Sequence, residues 1–127
     1  MDSKSQVSFE FFIFVGLAFL IAIAFSLASL DQLQEFRVEK EGEAVKDLAL
    51  KLQKELLLAA TVEEGYVRIF EIPEKLDNID YFLTVQNNTI SIESKNGFYT
   101  LSIPKAIGNL TKGENKINKT GGVIYIN

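Results

Sequence analysis

The sequence predicts an α+β fold: a long N-terminal helix, transmembrane in its first half and amphipathic in its second, packed on a small antiparallel β-sheet head. Three observations predict it. Phe11–Leu30 form a run of twenty residues without a charge. From Asp31 to Ala60 the charges are dense, no proline occurs, and apolar residues recur at spacings of three, four or seven. After Gly65 the pattern changes to period two, with turn residues between short β-branched and aromatic runs.

At about 1.5 Å per residue, twenty helical residues cover roughly 30 Å, the thickness of a bilayer's hydrocarbon core. The charge-free run therefore predicts a transmembrane helix, with the span at about residues 9–30. A cleavable secretory signal is the competing reading, because Ser26-Leu27-Ala28 offers small residues for a cut that would release a domain starting at Ser29. The N-terminal flank MDSKSQVSFE is a poor fit to such a signal, since Asp2 and Glu10 offset Lys4. Glu10 stands at the very start of the apolar run. A carboxylate there is costly in hydrocarbon unless it is paired or lies at headgroup level.

In the next stretch, Val38, Val45, Leu48, Leu52, Leu56 and Ala59 lie on one face of a helix, and Glu35, Arg37, Glu39 and Lys40 suit a solvated face. This predicts a nearly continuous helix to about Ala60, with Gly42 as its weak point. The apolar stripe needs a partner, and the sheet that follows is the obvious one.

Four or five strands are expected in the head, from five candidate segments. Tyr66–Ile72 alternates and stops at Pro73; Tyr81–Gln86 turns through Asn87-Asn88 into Thr89–Glu93; Phe98–Ile103 stops at Pro104; Val123–Ile126 follows Gly121-Gly122. The expected arrangement is an antiparallel meander with one apolar face. Ala106–Gly122, with Lys112, Lys116 and Lys119 and few apolar residues, reads as an exposed loop. Three Asn-x-Thr sequons occur, at Asn87, Asn109 and Asn118, all in the head; they are candidate N-glycosylation sites, and Asn109 and Asn118 stand out because they fall in that loop.

Composition narrows the function. The 127 residues contain no Cys and no His, which excludes disulfides, thiol nucleophiles, thiolate or imidazole metal sites and any histidine-based triad. A net charge of −4 gives no cationic excess for nucleic acid. Asp77 with Asp80, and Glu63 with Glu64, are acidic neighbours without the spacing of a calcium loop, and no glycine-rich phosphate loop occurs. The expectation is a protein that is not an enzyme, with no catalytic, metal or cofactor-binding residues, no nucleic-acid partner and no small-molecule substrate.

The segment Lys4-Ser5-Gln6-Val7-Ser8-Phe9-Glu10 resembles the class III, prepilin-type signal peptide of archaeal type IV pilin-like proteins. In that family a prepilin peptidase cuts after a basic and a small residue and before Gln. The resemblance implies cleavage at Lys4, Ser5 and Gln6, and an assembly motif of Gln6, Ser8 and Glu10, with Glu10 fifth in the mature chain. Ser5 stands where Gly or Ala is usual, and Phe14 where Leu is. The likeness covers about the first thirty residues. It implies a leader at residues 1–5, a long helix at 6–64, a head at 65–127 and a pilin-like architecture. It also implies a structural subunit, made as a membrane precursor and polymerised with copies of itself or related pilins into an adhesive surface filament. In the family the Glu carboxylate meets the amino-terminal charge of a neighbouring subunit. A single-span membrane-anchored module that never polymerises remains the alternative.

Overall fold

The computed structural model describes residues 3–127, with side chains from Gln6 onward. Of the expected leader, Met1 and Asp2 and the side chains of Ser3, Lys4 and Ser5 lie outside the described residues. Helix α1 runs Ser3–Thr61, and seven strands follow: β1 (Val67–Ile72), β2 (Tyr81–Gln86), β3 (Thr89–Ser94), β4 (Phe98–Ser102), β5 (Ala106–Ile107), β6 (Gly113–Thr120) and β7 (Val123–Ile126). Two compact units divide at Arg37 and Val38, within α1. The architecture is α+β, with a long N-terminal helix whose later part packs against small, mostly antiparallel sheets.

In the second unit the α1 stripe is Val45, Leu48, Ala49, Leu52, Leu56 and Ala59, all buried. It packs on Ile72, Ile117, Ile124 and Ile126 of one sheet and on Tyr81, Ile90 and Ile92 of the other. This shared core is what makes a small head viable, because each sheet alone would leave its apolar face wet. Val38 is a correction: it is 44% exposed, and the buried position one turn on is Glu41. Gly42 does not interrupt the helix. Its surface is where the β3–β4 turn comes close, since a Cβ on Gly97 would sit 3.2 Å from the Gly42 Cα.

The helix ends at Thr61, as expected of a helix running to about Ala60. Acidic side chains are unfavourable at a helix C-terminus, and here Glu63 and Glu64 stand just beyond it. The Lys119 ammonium supplies the favourable charge instead, donating to the carbonyls of Ala60 (2.8 Å) and Val62 (2.7 Å). Gly65 then turns the chain with a positive φ of 83° and donates its amide to Lys119 O.

All five candidate segments form strands, and the Asn87-Asn88 turn has positive φ at both residues (51° and 59°), as a two-residue hairpin of the primed type requires. Their arrangement differs from a single meander. One sheet has the order β1-β6-β7-β5, and the other β2-β3-β4. The β5–β7 pair is parallel.

The region expected as an exposed loop, Ala106–Gly122, instead contains β5 and β6, and β6 is a central strand. Its polarity conceals a regular alternation. Asn115, Ile117 and Lys119 turn towards the helix side, and Glu114, Lys116 and Asn118 turn away. Asn115 is 1% exposed and fully used. Its Oδ1 accepts from Thr111 N (2.8 Å) and its Nδ2 donates to the carbonyls of Thr111 (2.6 Å) and Gly113 (3.0 Å). A buried amide so satisfied does the structural work expected of an apolar residue while also fixing the loop before β6.

Candidate assembly helix

The first unit, up to Arg37, consists of α1 alone. Its helicity follows from a run without proline, rich in Leu, Ala, Ile and Phe, in which every backbone amide beyond the first turn finds a carbonyl four residues back. The two hydroxyls in the run are satisfied in the same way: Ser26 Oγ donates to Ala22 O (2.8 Å) and Ser29 Oγ to Phe25 O (2.9 Å). Neither leaves an unpaired polar group to oppose insertion into hydrocarbon.

No side chain described between Gln6 and Arg37 is buried. Phe12 is 70% exposed and Phe25 74%, and the apolar residues point in all directions around the axis. A core helix of a soluble protein would be covered by its own chain, and this one is not. It is a helix long and apolar enough to cross a membrane, lying near the N-terminus. A helix apolar all round needs a surrounding apolar medium, either lipid or other helices.

Of the three residues expected to form an assembly motif, Gln6 and Glu10 are one turn apart and share a face of α1, whereas Ser8 falls about 200° round the axis from Gln6. All three are exposed. The helix therefore does not bring them together into a site within one chain. Phe11 and Phe12 beside Glu10 meet edge to face, with ring centroids 6.4 Å apart.

The sequons are separated by the fold. Asn87 is at the exposed tip of the β2–β3 hairpin, and Asn109 is exposed between β5 and β6, its carbonyl accepting from Asn127 Nδ2 (2.8 Å). Asn118, expected on a loop, is half-buried inside β6, opposite Val67 on one side and Tyr125 on the other. Three of the four acidic neighbours have separate partners. Asp77 pairs with Lys40 (4.0 Å), Asp80 with Lys75 (3.5 Å), and the Glu64 carboxylate accepts the amides of Gly121 and Gly122 in the β6–β7 turn.

One residue that sequence reasoning missed is Glu41. It is buried, and its carboxylate accepts from Asn96 N (3.2 Å) and Asn96 Nδ2 (2.9 Å). The Ser94 hydroxyl and these amides, with Lys95 nearby, hold its carboxyl below the usual range against the opposing effect of burial. A signal was available: Glu41 is four residues before Val45 and seven before Leu48, on the apolar face itself.

No protein-family model, curated protein or solved structure matches this chain.

Proposed function

We propose that the chain is a structural subunit, a pilin, of an archaeal type IV pilus-like surface filament, cut by a prepilin peptidase before Gln6 and polymerised through α1. The observation that carries the reading is a helix with no buried side chain from Gln6 to Arg37, which begins within the Lys4–Glu10 motif and leads into a folded head. A leader cut ahead of the helix leaves the subunit anchored in the membrane until assembly. On assembly, lipid contacts are exchanged for helix contacts, so the apolar surface is never exposed to water. Glu10 pairs with the new amino terminus of a neighbouring copy and sets register, because a subunit out of step leaves a charge unpaired in a low-dielectric core. The head faces outward, where Asn87 and Asn109 can carry glycans, and adhesion belongs to the assembled filament. Catalysis, cofactors and nucleic acid have no part in this function.

Shearing cells that make the chain should release filaments containing it. Glu10→Ala should still insert in the membrane and be strongly depleted from the sheared fraction. A wild-type chain found only in the membrane would leave the anchored, non-polymerising module as the answer. Normal incorporation of Glu10→Ala would remove the role assigned to that carboxylate.

A further inference from the structure

Two different faces of the unit formed by residues 38–127 carry apolar side chains that the unit itself leaves uncovered. On the side of α1 turned away from the core, Leu50, Leu57 and Leu58 are between 40% and 47% exposed. Lys46, Lys51 and Lys54 border them, with Asp47 three residues before Leu50 and Glu55, paired with Arg68, three before Leu58. On the outer face of the β1-β6-β7-β5 sheet, Val67, Ile69 and Tyr125 are between 42% and 59% exposed. The register sets Val67, Asn118 and Tyr125 in one row across that face.

The same sheet face holds an electrostatic oddity. Glu71 of β1 lies directly opposite Glu114 of β6, and both are exposed. Like charges across a strand pair are destabilising. Lys116 is the cation nearest along β6, yet among the described residues neither glutamate forms an ion pair. The monomer gains nothing evident from this pairing, and a cation arriving from outside would relieve it.

We infer that these two faces bind each other between copies of this chain. The Leu50, Leu57 and Leu58 face of one copy docks on the Val67, Ile69 and Tyr125 face of the next, with Lys51 and Lys54 meeting Glu71 and Glu114. Charge selects the occupant. The helix face carries three lysines, Lys46, Lys51 and Lys54, to Asp47, and the sheet face two glutamates, Glu71 and Glu114, to Lys116, so their net charges are complementary. An anionic membrane surface would satisfy the helix face alone and leave the sheet face bare. Because the two faces differ, the contact is heterologous and propagates from copy to copy instead of stopping at a dimer. The inference rests on the reading of the chain as a polymerising subunit and supplies the head's share of that assembly. Once α1 segments hold the heads side by side, even a weak contact is made at high effective concentration. It also assigns Asn118 as unmodified, since a glycan in the middle of the Val67–Tyr125 row would cover the docking face.

The absence of native cysteine gives a clean background for a test in the full-length chain in its native cells. The variant Leu57→Cys with Ile69→Cys, treated with a short bis-maleimide, should give a ladder of covalent multimers. Either cysteine alone should link no better than Phe82→Cys, an exposed position on the other sheet. Lys54→Glu and Glu71→Lys should each cut the ladder several-fold, and the two together should restore at least half of it. Sheared filaments that contain the double-cysteine chain but yield no ladder would overturn the inference and leave the pilin reading standing. A ladder formed in the membrane by a chain that retains residues 1–5 would sustain the contact and overturn the pilin reading instead. Self-linking by a single-cysteine variant, or an intact mass that shows a glycan on Asn118 in the filament fraction, would also overturn the inference.

Discussion

The two halves of α1 are the same kind of helix with opposite requirements. From Val45 to Ala59 one stripe is buried against two sheets and the opposite side mixes charges with the half-exposed Leu50, Leu57 and Leu58. From Gln6 to Arg37 nothing is buried and the apolar residues run all round. The first arrangement is stabilised by contacts within the chain, the second by whatever medium surrounds it. A helix can thus be continuous in backbone and discontinuous in what holds it, and the head and the apolar segment should respond independently to mutation.

The sharpest way to break that comparison is paired leucine truncation. Leu52→Ala removes a side chain that is 1% exposed in the middle of the core. It should destabilise the head by about 2–5 kcal/mol through lost transfer energy and the cavity left behind. Leu20→Ala, on the uncovered segment, should leave head stability unchanged. Hydrogen exchange of the β6 and β7 amides in detergent-solubilised full-length chain reads both; equal losses would mean that the two halves are not independent.

A smaller effect is expected at Asn115. Asn115→Ala strips partners from the backbone groups of Thr111 and Gly113, at a cost of about 1–3 kcal/mol. Faster exchange should concentrate in residues 110–117 before it reaches β2 and β3. Uniform loosening across both sheets would contradict the local role given to this amide.

The smallest expected effect is a pH dependence at Glu41. Its folded pKa lies below its unfolded value near 4.5, so its contribution is complete above that value and is lost as pH falls through the folded one. Wild-type head stability should therefore decline on acidification below about pH 4.5, and Glu41→Gln should flatten part of that decline while costing stability at pH 7. An unchanged acid limb in the variant would locate the sensitivity in other carboxylates.

How much of this could be read from residues alone varied with the kind of information each element carries. Strands β1, β2, β3, β4 and β7 alternate strongly and are bounded by Pro, Gly or Asn pairs, so local chemistry is enough to find them. Strand β6 was hidden because Asn115 and Lys119 occupy inward positions that an apolar-pattern search expects to be Ile or Val. Their partners, a loop backbone and the helix terminus, are visible only once the chain is folded. The division into two sheets depends on pairing β1 with β6 across some forty residues, which no local pattern encodes. The seven-residue spacing to Val45 predicts Val38 on the buried face, where Glu41 in fact lies. For the candidate site the balance is reversed. The Lys4–Glu10 motif is a sequence signal, and among the described residues Gln6, Ser8 and Glu10 converge on no common site.

The most direct test of the central claim is the amino-terminal sequence and intact mass of the chain taken from the native cell-surface fraction. The chain is expected to begin at Gln6, with any excess mass attributable to glycans on Asn87 or Asn109. A chain that begins at Met1 or Asp2 would contradict it in favour of an anchored module, and one that begins at Ser29 would contradict it in favour of a secreted domain.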